Sequence, residues 1–351
     1  MIPSLGEWQR HRAGACVFWD PWIPACAGMT VWKNVAGKHH RPDGLGMSAP
    51  PAGNARYLLC AGHRKEERMT DNGSNGAGTL DLGDLTVMRF GFGAMRLCGP
   101  GIWGEPEDAG SAKNVLRRVV EMGINLIDTA DAYGPEVNER QISSALYPYP
   151  DDLVIATKGG MVRPGPGRWE PSGSPEHLRE ACEGSLRRLK LDTIDLYQLH
   201  RPDPRVAFED SVWALAELRD EGKIRHIGLS NVGVRELVMA LDIVPIVSVQ
   251  NRYNLTDRSS EAVSETCERE GISFIPWFPL ATGELASPGG DLDEIATSHD
   301  ATPAQVALAW LLAKSPVILP IPGTSSVEHL EENVAATGLE LSDEEVAALS
   351  S

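Results

Sequence analysis

The 351-residue sequence lacks long hydrophobic runs and has few cysteines. No stretch of about 18 consecutive apolar residues occurs, so no segment is predicted to span a bilayer. The cysteines have neither paired metal-ligand spacing nor the density of a disulfide scaffold, and they lie at Cys16, Cys26, Cys60, Cys98, Cys182 and Cys267. This usage predicts a protein of the reducing cytoplasm. Clusters of His, Asp or Glu with metal-ligand spacing are also missing, so no metal site is predicted.

Basic residues are scarce as well. The chain has 32 Lys and Arg against 49 Asp and Glu, which gives a formal net charge of −17, and no local basic patch interrupts this acidic balance. An acidic surface repels polyanions. Nucleic acid and anionic membranes are therefore excluded as main partners.

Residues 1–78 differ from the rest of the chain. They carry nine Lys and Arg against six Asp and Glu, and their apolar residues follow neither the helical nor the strand period. They also lack the basic, apolar and small-residue zones of a signal peptide. We expect Met69 to be the true start and the residues upstream of it to be either disordered or the result of a misplaced start codon. The alternative is a folded regulatory extension, which would need a periodic core that these residues do not show.

Residues 79–351 alternate strand and helix patterns. A turn at Gly83 and Asp84 predicts a β-hairpin, and after it eight apolar, β-rich runs end at Met95, Asp128, Lys158, His200, Ser230, Gln250, Trp277 and Ile321. Helical patterns separate these runs, with predicted N-caps at Ser174 and Thr302, each followed by proline. Eight strand–helix units in about 270 residues predict an α/β fold of the (β/α)8 barrel type with an N-terminal hairpin. The alternative, a doubly wound open sheet, would need a glycine fingerprint whose third glycine "GFGAMRLCG" lacks at the required spacing.

Several of these predicted strands end in polar residues, which a barrel would bring to one end. Active sites of such barrels lie at the carboxyl ends of the strands. Asp128 ends the second strand, Tyr133 follows it, Lys158 ends the third and His200 ends the fourth. The sequence therefore predicts that an acid, a phenol, a cation and an imidazole meet at one mouth.

Five motifs carry a resemblance to a known family. "IDTADAYG", "ATKGG", "LYQLHRPDP", "IGLSN" and "SVQNRYN" together resemble the aldo-keto reductase superfamily over nearly all of residues 79–349. The resemblance implies a (β/α)8 barrel that reduces small aldehydes or ketones with NADPH and without a metal. It also implies a catalytic tetrad of Asp128, Tyr133, Lys158 and His200.

The chemistry of the tetrad follows from its residue types. Hydride arriving at a carbonyl carbon leaves an alkoxide, which needs a proton donor within hydrogen-bond reach. Tyr133 is the predicted donor, and the Lys158 ammonium is expected to lower its pKa, while Asp128 keeps Lys158 charged and oriented. His200 is expected to orient the carbonyl oxygen. Asp131, between Asp128 and Tyr133, is expected to be only a turn residue, so Asp131→Asn should cost far less activity than Asp128→Asn.

The resemblance also implies the cofactor contacts. Ser230, Asn231 and Gln250 would meet the nicotinamide carboxamide, and Trp277 would stack on the ring, although a core aromatic is the alternative for Trp277. The remaining predicted contacts are Phe278, Pro279 and Leu280 after the seventh strand, and Gly323, Thr324, Ser325, His329, Glu332 and Asn333 after the eighth. Many NADPH-selective members have a lysine near Gly323 and an arginine near His329. Because both basic residues are missing here, NADH is an alternative cofactor.

Two other functions stay open at this stage. Lys158 on a barrel strand would also suit a Schiff-base lyase, and a non-catalytic nicotinamide-binding regulator would share the fold. The loops "RPDPRVAFED" and "LATGELASPGGDLDE" are short, which predicts an open mouth for small or polar aldehydes. The sequence resembles bacterial members of the family described as general oxidoreductases or pyridoxal reductases.

Overall fold

The computed structural model describes residues 76–280 and 292–351. The predictions for a start at Met69 and for disorder before it lie outside these residues. In the described part, no helix is long and apolar enough to cross a membrane.

The chain begins with the predicted hairpin. Strands β1 (Thr79–Leu82) and β2 (Leu85–Met88) pair antiparallel around the Gly83–Asp84 turn. The buried side chains of Leu82 and Val87 pack into the barrel interior. The side chain of Asn125, just before a barrel strand, donates to Thr86 O and accepts from Met88 N, and so binds β2 to the barrel. The hairpin therefore closes the amino-terminal end of the barrel and leaves the opposite end for a site.

Seven parallel strands form the barrel wall. In sheet order they are β11 (Ser273–Trp277), β10 (Ser248–Arg252), β9 (Ile224–Ser230), β8 (Ile194–Leu199), β5 (Val154–Gly159), β4 (Leu126–Asp128) and β3 (Phe92–Gly93). Each strand pairs in parallel with its neighbour in this order. Parallel strands buried on both faces match the near-continuous apolar runs of the sequence.

The eighth position is filled by an irregular segment, residues 317–321. Phe274 of β11 donates to Val317 O at 2.8 Å and accepts from Leu319 N at 2.9 Å, while Gly91, before β3, donates to Pro320 O at 2.9 Å. This segment thus joins the two edges of the sheet and confirms the (β/α)8 barrel. Proline has no N–H for a ladder, so the closure is not a regular strand.

The predicted strand ends are mostly close to the observed ones. Asp128, Ser230 and Trp277 end their strands as expected. Met95 is wrong, because β3 ends at Gly93 and Met95 belongs to a short 3-10 helix, Ala94–Leu97. A two-residue strand followed at once by a tight turn has no distinct hydrophobic period.

Helices alternate with the strands around the barrel. They are α1 (Ala109–Glu121), α2 (Val137–Leu146), α3 (Pro175–Leu189), α4 (Phe208–Asp220), α5 (Val234–Leu241), α6 (Glu261–Glu270), α7 (Asp293–Ser298), α8 (Pro303–Lys314), α9 (Val327–Ala335) and α10 (Asp343–Ser350), with a 3-10 turn at Ala336–Gly338. The predicted caps are confirmed: Ser174 accepts from His177 N, and Thr302 accepts from Gln305 N. A second hairpin, β6 (Met161–Gly165) and β7 (Arg168–Pro171), follows β5 at the carboxyl-terminal mouth.

Candidate active site

The structure brings together the four residues predicted to form the tetrad. Lys158 Nζ donates to Asp128 Oδ1 at 2.5 Å, to Thr129 O at 2.9 Å and to Tyr133 Oη at 3.4 Å. Lys158 is fully buried and Asp128 is 2% exposed. A lysine so deep in the protein retains its charge only with such partners. The ammonium therefore links a carboxylate to a phenol.

The turn after β4 aims Tyr133 into the barrel. Thr129 N continues the ladder to Ala156 O at 2.8 Å, and Tyr133 N then closes a turn onto Ala130 O at 3.1 Å. Gly134 follows with a φ of +96°, and a Cβ there would overlap Val137. Only glycine satisfies both requirements, so the "AYG" of the motif has a steric origin.

His200 lies against Tyr133. The two rings meet edge to face with centroids 5.8 Å apart, and His200 Nδ1 is buried without a hydrogen-bond partner in the part of the chain that the structure describes. Burial lowers the pKa of His200 well below its usual value, and the charges of Lys158, Arg201 and Arg163 add to this effect. The imidazole is therefore neutral at physiological pH and is suited to hydrogen bonding.

The pKa of Tyr133 differs from the sequence expectation. Burial raises it above its ordinary value; Lys158 acts in the expected lowering direction, but burial outweighs it. For Lys158, burial favours the neutral amine, yet Asp128 and Tyr133 together raise its pKa. Tyr133 therefore holds its proton and Lys158 its charge, and the predicted net lowering of the Tyr133 pKa is not met in this structure.

Gln198 is a site residue that the sequence reasoning missed. Asp128 Oδ2 accepts from Gln198 Nε2 at 2.9 Å and from Gln250 Nε2 at 2.8 Å. Gln198 has no exposed surface. It lies two residues before His200 on β8, so the strand period that points His200 inward would have identified it. Gln250, predicted as a carboxamide contact, bonds to the Asp128 carboxylate.

Arg163 and Trp169, on the β6–β7 hairpin, were also missed. Trp169 meets the Tyr133 ring at 6.3 Å and the His200 ring at 6.4 Å between centroids. The Arg163 guanidinium lies 3.5 Å from the centre of the Trp169 ring and donates to four backbone oxygens, those of Gly101, Ile102, Ala132 and Arg168. It thereby ties the loop after β3 and the turn before Tyr133 to the hairpin. No regular sequence pattern marks this irregular insertion.

Asp131 is more than a turn residue. Burial raises its pKa well above the usual range, and Glu139 adds to this while Arg188 opposes it. Its Oδ1 is buried without a hydrogen-bond partner among the described residues. Glu139 itself is fully buried and accepts from Thr157 Oγ1 at 2.7 Å and from Arg188 Nε at 2.6 Å. Asp131 thus borders a buried polar cluster behind the tetrad and does not contact the reacting groups.

Ser230 and Asn231 lie beside the tetrad at the end of β9. Asn231 has a φ of +59° and donates from Nδ2 to His200 O at 3.0 Å and to Ser230 Oγ at 2.9 Å. The left-handed backbone of asparagine is tolerated because its short side chain bonds locally. These contacts place polar groups next to His200, and their role as contacts of a nicotinamide carboxamide stays a prediction.

The predicted ring-stacking residue lies at the end of β11. Trp277 packs edge to face with Phe278 at 4.9 Å, and its Nε1 is buried without a partner among residues 76–280 and 292–351. Phe278 has a φ of +54°, a conformation that costs strain in a bulky residue. Pro279 is buried and Leu280 packs against the core. An unpartnered indole N–H and a strained neighbour are features of a ligand-binding strand end.

The loop after residues 317–321 has the small residues predicted for a phosphate site. Gly323 and Ser325 are exposed, and Thr324 Oγ1 accepts from Ser326 N at 3.1 Å at the start of α9. A Cβ on Gly323 would overlap Gly93 O, so a lysine is sterically excluded at this position. The Arg96 stem lies nearby, with Cγ 3.6 Å from where that Cβ would be.

The predicted adenine pair lies on α9. Asn333 is 6% exposed. Glu332 accepts from Thr302 Oγ1 at 2.7 Å, which ties it to the start of α8, and His329 is exposed one turn earlier. The cofactor contacts at these strand ends and at the start of α9 stay a prediction. No group of three or more metal-ligating side chains is found within the described ranges.

Comparisons with known proteins agree with this geometry. The model of the Aldo/keto reductase family matches residues 89–351. The chain belongs to this family of NAD(P)H-dependent oxidoreductases. This aldo/keto reductase is 53% identical over 273 residues to an uncharacterized oxidoreductase of Schizosaccharomyces pombe, covering 78% of this chain and 89% of that one. It is 45% identical over 278 residues to pyridoxine 4-dehydrogenase of Escherichia coli, covering 77% and 96%.

Solved structures show the same relationship. A Klebsiella pneumoniae aldo-keto reductase in complex with NADPH aligns with a TM-score of 0.65 at 28% identity, covering 75% of this chain and 90% of that one. The thermostable aldo-keto reductase Tm1743 aligns with a TM-score of 0.69 at 34% identity, covering 78% and 98%.

Proposed function

We propose that this aldo/keto reductase reduces an aldehyde or ketone to an alcohol with NADPH, with Tyr133 as the proton donor. The observation that carries the proposal is the buried Lys158 ammonium, which contacts Asp128 on one side and Tyr133 Oη on the other. A carbonyl oxygen at Tyr133 Oη would become an alkoxide as hydride arrives. The phenol would then donate its proton, and the neighbouring ammonium would stabilise the phenolate that remains.

His200 orients the carbonyl in this proposal. Its neutral imidazole lies edge to face against Tyr133. A neutral ring donates one hydrogen bond without competing for the proton, so it fixes the angle of the carbonyl oxygen while Tyr133 supplies the proton. Trp169, at the edge of both rings, forms a wall of the same space.

NADPH supplies the hydride when it is bound. Ser230, Asn231, Gln250 and Trp277 would hold the nicotinamide, and the Gly323–Ser325 loop with α9 would hold the phosphates. The NADPH complex of the Klebsiella relative supports this cofactor. Without a lysine at Gly323 or an arginine at His329, the 2′-phosphate has fewer cations to pair with, so NADH stays the alternative. Comparing the two dissociation constants decides between them.

A pyridine aldehyde is the substrate that we propose first. The pyridoxine 4-dehydrogenase relative acts, by its name, on the alcohol of a pyridine ring, and the aldehyde would be the product of that oxidation. The Trp169 indole offers this ring an aromatic wall.

The three cysteines in the described part of the chain, Cys98, Cys182 and Cys267, are free thiols, which supports the proposed cytoplasmic location.

The two other functions are less well supported. A Schiff-base lysine must be neutral to attack a carbonyl, whereas Asp128 and Tyr133 raise the pKa of Lys158 and keep it charged. A non-catalytic regulator would not require the complete set of four polar residues at the strand ends.

Tyr133→Phe tests the proposal. We expect aldehyde-dependent oxidation of NADPH to fall by about 100- to 10,000-fold, the usual contribution of a general acid, while NADPH affinity measured by fluorescence stays within about twofold. The matched control is Tyr149→Phe, which removes a phenol that donates to Leu189 O outside the site. An active Tyr133→Phe enzyme would refute the assignment.

A further inference from the structure

The Asp128 carboxylate is held from both sides. Lys158 takes Oδ1, and the amides of Gln198 and Gln250 both donate to Oδ2. Gln250 Nε2 also lies 3.4 Å from Gln198 Oε1. This network fixes the orientation of the Gln198 amide, because a flipped amide would set its oxygen against the carboxylate.

The barrel makes specific room for Gln198. Gln198 is in register with Lys158 on β5 and with Gly228 on β9. A Cβ on Gly228 would lie 2.4 Å from Ser248 Oγ and 2.9 Å from Gln198 Cγ, so a larger residue at that position would displace the serine hydroxyl, the glutamine or both. Gln198 has no exposed surface, and a buried amide is stable only when its polar atoms have partners. The side chain is therefore seated against Asp128 by its neighbours.

We infer that Gln198 is a positioning residue that, with Gln250, holds Asp128 so that its Oδ1 keeps Lys158 in reach of Tyr133. This inference rests on the proposed function. The contact between Lys158 Nζ and Tyr133 Oη is already long, at 3.4 Å. A small rotation of Asp128 draws the ammonium away from the phenol, and hydrogen bonding is lost beyond about 3.5 Å.

Gln250 gives the network a second connection. It is predicted to meet the nicotinamide carboxamide, while its Nε2 bonds to Asp128. Gln250 therefore combines a predicted cofactor contact with a bond to the Asp128–Lys158–Tyr133 chain, whereas Gln198 bonds to Asp128 and Gln250. Gln198 has no predicted contact with the cofactor, so its replacement is expected to change the proton step and to leave cofactor binding intact.

Gln198→Met is the test, because methionine has similar length and no hydrogen-bond donor. We expect kcat for aldehyde reduction to fall by about 10- to 100-fold, while the NADPH dissociation constant and the aldehyde KM change by less than about threefold. The alkaline limb of the kcat–pH profile should move to higher pH, because a more distant Lys158 ammonium lowers the pKa of the proton donor Tyr133 less.

Gln141→Met is the matched control. Gln141 is also a buried glutamine, 4% exposed, but it donates to Leu97 O and Glu105 and accepts from Asn138, with no bond to Asp128. A merely structural role would give both variants similar stability losses and unchanged pH profiles. A wild-type kcat and profile in Gln198→Met, or the same shift in Gln141→Met, would overturn the inference.

A readout separate from turnover distinguishes this inference from the proposed function. The crystal structure of Gln198→Met should show a longer separation between Lys158 Nζ and Tyr133 Oη. If the wild type reduces no carbonyl, the proposed function fails whatever this distance is. If the wild type is active and the distance is unchanged, only the positioning role fails.

Discussion

Replacing Asp128 by asparagine removes the only carboxylate that contacts Lys158 in the described part of the chain. Its side chain is 3% exposed and the lysine side chain 1% exposed, and their charged atoms lie 2.5 Å apart. The new amide keeps one oxygen but faces three donors, those of Lys158, Gln198 and Gln250. At least one of these donors must then face the N–H₂ group of the new asparagine, which cannot accept its hydrogen bond. The Lys158 ammonium also remains buried without a countercharge.

The expected cost is large because the pair is deeply buried. Removing one partner of a buried ion pair destabilises proteins by about 3 to 5 kcal/mol. Asp131→Asn is the matched change three residues later. Burial and Glu139 both favour the protonated form of Asp131, so a neutral amide replaces a group that is itself inclined to be neutral. We expect this second variant to remain within about 1 kcal/mol of wild type.

Urea unfolding of the full chain at pH 7, followed by fluorescence and circular dichroism, measures both costs. Asp128→Asn should unfold at clearly lower urea and lose nearly all activity. Asp131→Asn should keep most of its activity, as the sequence also predicts. Equal unfolding midpoints for the two variants would show that the buried ion pair contributes no more stability than the Asp131 carboxyl, and the reasoning about Lys158 would be wrong.

Two further predictions concern the rim of the site. His200 has a folded pKa well below its ordinary value, so its contribution to stability is present above about pH 6.5 and is lost as the pH falls. Between pH 7 and pH 5 the unfolding free energy of wild type should therefore fall by about 1 to 2 kcal/mol more than that of His200→Gln, as measured by urea unfolding at both pH values. An equal fall in the two proteins would contradict the neutral imidazole. Arg163→Lys gives up the planar fork that bonds to four backbone oxygens and should lower the unfolding free energy by about 2 to 4 kcal/mol. Arg168→Lys, whose side chain is 65% exposed, is the control, and a similar midpoint for both variants would refute the clamp.

Strand ends were the part of the site that the sequence could predict. In a barrel the carboxyl ends of all strands face one mouth, so a residue's place along the chain implies its place in space. Asp128, Lys158 and His200 follow this rule, and Tyr133 follows it through a short turn. Gln198 follows the same two-residue strand period as His200, but it is uncharged and was therefore not selected as a site residue.

The contacts made by the loops at the mouth of the barrel could not be predicted from the sequence. Arg163 and Trp169 lie on an irregular hairpin. Arg163 bonds to backbone oxygens of loops 31 and 62 residues away in sequence, and Trp169 meets the rings of Tyr133 and His200. Nothing in a hydrophobic period specifies such contacts. The pKa of Tyr133 also depends on depth: the sequence identified the lysine that lowers it, whereas only the packed structure shows that burial outweighs the lysine.

The charge balance of the buried site explains how these opposing effects support one reaction. The charges of Asp128 and Lys158 cancel, and Tyr133 and His200 are neutral, so these four residues together carry no net charge. In the proposed reaction, burial would penalise any new anion and would keep the proton on Tyr133 until an alkoxide develops on a substrate. The negative charge would then move to the Tyr133 oxygen, which faces the ammonium at 3.4 Å. The same burial that makes Tyr133 a poor acid in the free protein therefore strengthens the ammonium's attraction for the anion that forms in the reaction.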